Sequence, residues 1–210
     1  MKFPILSSLL FISCTRQGAP VNEIPDPKKS SVVVSNQTDN DTTVYVSFGS
    51  NSVVLPTEWS FCKSTVNLHC EFPLGSYSSR QLPLDNRYLN ATISFSSPAG
   101  CGTTKAEINI NNPHWYDIVD ISLVDGYSNS ISVMVDTTLL GPVINAKYNE
   151  KIFGVYPLGC DICVSRQAPS CGMNPGSDGC KSGTQFNPDV PCQYQGTVMG
   201  GGSNILISLL

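Results

Sequence analysis

Three carboxylates, Glu107, Asp120 and Asp125, fall within one stretch of strand-like sequence. Over residues 105–110, Ala106, Ile108 and Ile110 share one face of a strand and Lys105, Glu107 and Asn109 share the other, so Glu107 is directed away from the core. Over residues 118–124, Val119, Ile121 and Leu123 alternate with Asp120 and Ser122. The same period of two therefore puts Asp120 on the polar face, and Asp125-Gly126 then signals a turn. Carboxyl groups at adjacent strand ends can line a cleft in which one is protonated and acts as a general acid while another stays ionised, as glycoside hydrolysis requires. The competing reading is that all three are solvated residues of a polar face. Trp115, Tyr116 and Tyr127 flank the acids and have the ring faces that stack on sugars, although burial in a core is the commoner use of aromatics. His69 and His114 are too few and too far apart to make a metal centre, and the chain has no Gly-rich phosphate loop or nucleophile elbow. We therefore expect no metal and no cofactor.

The elements that must position these acids are short strands. Residues 31–35 are β-rich, and 43–48 alternate Val44, Val46 and Phe48 with Tyr45 and Ser47; the turn-rich residues 36–41 between them predict a hairpin. Residues 52–55 are strand-like before the break at Pro56, residues 89–95 form a further strand, and Ile131, Val133 and Val135 begin another. The apolar segment 204–210 reads as a closing strand returning to the first sheet, with a packed C-terminal tail as the alternative. No stretch has a clear 3.6-residue apolar stripe. The fold class expected is mainly β.

Charged residues make up 13% of the 210-residue chain and the net charge is −4, which excludes the basic footprint of a nucleic-acid binder. Lys2 followed by the apolar residues 3–13 has the form of an export signal, too short to cross a bilayer. Cys14 ends that run as in a bacterial lipobox. On that reading Cys14 is acylated and residues 15–30 tether the protein to a membrane; on the other, ordinary cleavage near Ala19 frees a soluble protein. Asn36-Gln-Thr38, Asn40-Asp-Thr42 and Asn90-Ala-Thr92 are glycosylation sequons, which bear on a eukaryotic source and conflict with the lipobox.

Nine cysteines are present. Without Cys14, eight remain to form four bridges: Cys62, Cys70, Cys101, Cys160, Cys163, Cys171, Cys180 and Cys192. Three early and five late cysteines require at least one bridge between the two regions, and the pairing expected is Cys62 with Cys70 and Cys101 with a late partner. A zinc site around Cys160-Asp-Ile-Cys163 competes, but in an oxidising compartment such thiols pair with one another. The organisation expected is a signal over 1–14, a linker over 15–30, a β core over 31–140 plus 197–210, and a cysteine-rich module over 141–196.

Ala106-Glu107-Ile108, followed by Asp117-Ile-Val-Asp120-Ile-Ser-Leu-Val-Asp125-Gly126-Tyr127, resembles the thaumatin-like (osmotin, pathogenesis-related 5) family, which has an "AEF-x-L" strand and then "D-x-x-D-x-S-L-V-D-G-F". The resemblance implies a thaumatin-like β-sandwich with a disulfide-rich module beside it and an acidic cleft between them. It carries the family's cleft Glu and two Asp onto Glu107, Asp120 and Asp125. The family's cleft Arg, in an "R-T-x-C" segment, has no counterpart before Cys101, and its last Asp maps only loosely onto Asp189. The implied function is an exported protein, monomeric, that binds β-glucan or another cell-surface carbohydrate in a defence or antimicrobial role. The alternatives are a weak endo-β-1,3-glucanase, with Glu107 as acid and Asp120 or Asp125 as nucleophile or base, and an exported scaffold that has lost the site.

Overall fold

The computed structural model describes residues 29–100, 103–122, 128–140 and 193–210. These form eleven strands: β1 (Ser31–Asn36), β2 (Thr42–Phe48), β3 (His69–Leu74), β4 (Ser79–Leu82), β5 (Leu89–Phe95), β6 (Lys105–Ile110), β7 (Tyr116–Ser122), β8 (Ile131–Val135), β9 (Thr138–Leu140), β10 (Gln193–Met199) and β11 (Asn204–Leu209). They build two sheets, one ordered β4-β1-β11-β8-β9 and the other β10-β7-β6-β5-β2-β3. The protein is mainly β, as the alternating sequence requires, and its only described helical turns are short 3-10 segments at Pro56–Glu58 and Val66–Leu68.

The sheets bury their facing sides against each other. Val32 and Val34 of β1 and Ile205 and Ile207 of β11 enter the core from one sheet. From the other come Val44, Val46, Ile93, Ala106, Ile108, Val119 and Ile121. Trp59 plugs one end of the core at 2% exposure, where its indole N–H donates to the carbonyl of Pro83 at 2.9 Å. Phe48, Phe61 and Phe72 join Trp59 in a chain of ring contacts. Cys62 and Cys70 are joined in a disulfide, as expected from the sequence. The other six pairing cysteines lie outside the described residues.

The expected hairpin of β1 and β2 does not form: β1 lies between β4 and β11, and β2 lies between β5 and β3 in the opposite sheet. The turn chemistry was legible but its destination was not. Asn36 is fully buried and works as a local brace. Its amide donates to the carbonyls of Asn40 at 2.7 Å and Gly75 at 3.0 Å, and its side-chain oxygen accepts from the Thr38 amide at 3.1 Å. Strand β11 runs parallel to β1, so the closing-strand reading holds. Residues 52–55 form no strand; the chain turns there and enters the 3-10 segment at Pro56.

Candidate functional site

Strands β5, β6 and β7 are antiparallel neighbours in the six-stranded sheet, and their register sets the geometry of the acids. Glu107 lies directly opposite Asp120 and, on its other side, opposite Thr92. Thr92 pairs with Ser47 of β2, and Ser47 with His69 of β3. Asp120, Glu107, Thr92, Ser47 and His69 therefore form one continuous row across five strands. All five project from the face opposite the core, because Ile108, Ile93 and Val46, adjacent to row members in sequence, are buried inside. A second row runs parallel to it through Lys105, Ser94, Tyr45 and Glu71.

Directly opposed side chains on adjacent strands have Cβ atoms about 5 Å apart, so Glu107 and Asp120 share one electrostatic environment. Asp120 is only 7% exposed and its Oδ1 has no hydrogen-bond partner. Burial, reinforced by the negative charge of Glu107 and opposed by Lys105, pushes its carboxyl up to about 8. At neutral pH Asp120 is thus mostly a protonated acid, able to donate a hydrogen bond as well as accept one. The side chain of Glu107 is 39% exposed and pairs with Lys105 Nζ at 3.1 Å. One acid is neutral and sheltered while its neighbour is charged and reachable, which is the division of states that acid–base or hydroxyl-binding chemistry uses. Two further polar atoms of the same face, Thr92 Oγ1 and Asn109 Oδ1, are also buried without a partner.

Of the other expected site residues, Tyr116 opens β7 on the same face as Asp120, four residues away and hence about 13 Å along the strand. Its neighbour Trp115 is exposed, and the two rings meet edge to face at 6.1 Å. Asp125, Tyr127 and Asp189 lie outside the described residues, as do Cys14, Cys101, Cys160, Cys163, Cys171, Cys180 and Cys192. The sequence reading placed Lys105, Tyr45 and Ser47 on strand faces and set His69 aside as a metal ligand, but gave none of them, nor Thr92 or Glu71, a place in the site. Alternation assigns facing, and only register brings these residues into rows with the acids.

The described residues also include a second buried carboxyl group, of quite different character. Asp117 of β7 is fully buried. It accepts from the Ser30 hydroxyl and from the backbone N–H of Asn111, the latter at 2.9 Å. Ser30 Oγ in turn accepts the backbone N–H groups of Gly202 and Ser203 at 2.9 and 3.0 Å. Gly200, Gly201 and Gly202 all have positive φ, which lets the turn into β11 bring those amides against Ser30. This knot ties the starts of β1 and β11 to the opposite sheet.

No family model matches the chain, and no curated protein matches it. Among solved structures it is similar to the thaumatin-like xylanase inhibitor TLXI, at 11% identity and a TM-score of 0.44, over 85% of this chain and 97% of that one. It is also similar to the protein elicitor MoHrip2 from Magnaporthe oryzae, at 9% identity and a TM-score of 0.39, over 86% of this chain and 98% of that one.

Proposed function

We propose that this is an exported thaumatin-like protein that binds β-glucan or a related cell-surface carbohydrate on the outer face of its six-stranded sheet, in a defence or antimicrobial role. The observation that carries the reading is the Glu107–Asp120 cross-strand pair, one carboxyl ionised and the other protonated at neutral pH, set among polar atoms without protein partners. Sugar hydroxyls both donate and accept, and such a pair offers them both roles. The strand motif over residues 105–127 and the two-sheet sandwich support the thaumatin-like assignment. The Cys62–Cys70 disulfide supports an oxidising, extracellular compartment.

Weak endo-β-1,3-glucan hydrolysis is the second reading, favoured by two carboxyl groups lying opposite one another on adjacent strands. The raised pKa of Asp120 weighs against it, because a carboxyl acting as nucleophile or base must be ionised, and at neutral pH Asp120 is mostly protonated. Calorimetry with soluble β-1,3-glucan separates the readings when paired with a reducing-end assay on laminarin. Binding without turnover, weakened by Glu107→Gln, is the expected result. Turnover abolished by Glu107→Gln would establish the enzyme instead, and no binding to β-1,3-glucan or chitin would remove the carbohydrate reading altogether.

A further inference from the structure

The loop closed by the Cys62–Cys70 disulfide runs along the free edge of β3, where Ser64 pairs with Glu71 and the Lys63 N–H donates to the Glu71 carbonyl at 2.7 Å. There a cleft of ≈ 260 Å³ is lined by Tyr45, Ser64, Asn67, His69, Glu71 and Pro98. Three of these six, Ser64, Asn67 and His69, lie within the disulfide loop, and the bridge fixes that loop against the strand carrying Glu71.

Two observations bear on what this cleft could hold. First, its polar groups are largely unspent. Among the described residues, the Tyr45 hydroxyl, the Ser64 hydroxyl, the Asn67 amide and the Glu71 carboxylate make no side-chain hydrogen bond or ion pair. His69 uses one ring nitrogen, Nδ1, on Ser47 Oγ at 2.8 Å. Second, the backbone is strained at the rim: Asn67 and Leu68 hold positive φ of 54° and 59° in succession. For Leu this conformation is costly, and it persists only where the surrounding structure enforces it, here a covalent loop.

The register places the cleft on the same face as the acid pair. His69 ends the row that begins at Asp120 and Glu107, and Tyr45 and Glu71 end the adjacent row that contains Lys105. At about 4.8 Å per strand, Asp120 and His69, the ends of the five-strand row, are roughly 19 Å apart.

We propose that this cleft is a second saccharide subsite, which takes one pyranose ring of an extended glycan lying across the strands, with another part of the same glycan at Glu107 and Asp120. Tyr45 supplies the aromatic surface, Glu71 accepts from sugar hydroxyls, and Asn67 and His69 contribute rim contacts. The inference rests on the carbohydrate reading above and adds the position, direction and length of the ligand.

The test is calorimetry with β-1,3-gluco-oligosaccharides, a hexasaccharide against a disaccharide, on the full-length oxidised protein carrying Tyr45→Ala, Glu71→Gln or Asn67→Gly. Glycine suits the positive φ at position 67, so the last variant retains the loop conformation. The hexasaccharide should bind wild type more tightly than the disaccharide, and Tyr45→Ala and Glu71→Gln should each weaken it roughly tenfold. Asn67→Gly should give a smaller loss. Thermal melts identify any variant that fails to fold, and the remaining two then decide. Hexasaccharide binding that Glu107→Gln weakens and none of the folded cleft variants alters would overturn the subsite and leave the carbohydrate reading standing. No binding by wild type would overturn both.

Discussion

Strand β7 carries two buried carboxylates three residues apart, Asp117 and Asp120, and the sheet sends them to opposite surroundings. Asp117 faces the seam between the sheets, where both of its oxygens accept hydrogen bonds, from Ser30 and Asn111. Asp120 faces outward beneath a polar surface, with one oxygen unpartnered and another acid directly across from it. Both are buried, Asp117 fully and Asp120 to within 7% exposure, so burial alone does not distinguish them. Partnering does: a carboxylate with its acceptors filled joins elements together, whereas an orphaned one beside a like charge holds a proton and remains available to a ligand.

The sharpest way to break this contrast is pH. Folded Asp120 keeps its proton up to about 8, whereas in the unfolded chain it releases it near the ordinary value of 3.8. Between those values the folded state binds the extra proton, so this contribution to stability is fully present below pH 3.8 and is lost as pH rises through 8. Asp120→Asn should therefore match wild type near pH 4 and exceed it progressively above, by up to roughly 5 kcal/mol at pH 8 as an upper bound. Urea denaturation of both proteins across that range measures the difference, and parallel curves would show that Asp120 is solvated or paired.

A smaller loss is expected at the other acid. Asp117→Ala strands the Ser30 hydroxyl and the Asn111 amide in a buried seam and should cost roughly 3 kcal/mol in the same denaturation experiment at pH 6. Asp117→Asn, which retains one acceptor, should cost less. If the two substitutions at 117 and 120 have the same sign at pH 8, the division of roles between them fails.

The smallest effects sharpen the electrostatics of the outer pair. Removing the neighbouring negative charge with Glu107→Gln should lower the midpoint of Asp120, and removing the opposing positive charge with Lys105→Met should raise it. Carbon-detected NMR titration of the Asp120 carboxyl reads both shifts. Movement of the midpoint in the same direction by both variants would mean that Glu107 and Lys105 do not act on Asp120 as separate charges.

Much of the sheet was legible from local chemistry. Alternation in Lys105–Ile110 and Tyr116–Ser122 gave the facing of Glu107 and Asp120 correctly, because side chains in an extended chain must alternate. The short separation of Cys62 and Cys70 made their bridge the natural expectation. The misplaced hairpin shows where local reading stops. Asn36 and its neighbours encode a reversal, but nothing local says whether the returning strand pairs with β1 or crosses to the facing sheet. The burial of Asp120 was likewise hidden, since its position in the alternation marked it as an outward, solvated residue.

By itself the sequence determined that the chain forms short strands with one apolar face each, that Glu107 and Asp120 leave the core, and that Cys62 and Cys70 lie within bonding reach. Those properties depend on neighbours a few residues away. Only the tertiary structure decided that Asp120 sits opposite Glu107, that His69, Tyr45 and Glu71 end the rows on which the acids and Lys105 lie, and that Asp117 holds a seam while Asp120 holds a proton. Each of those facts depends on register and burial between strands distant in sequence, which are set by how whole faces pack and not by the residues adjacent to any one of them.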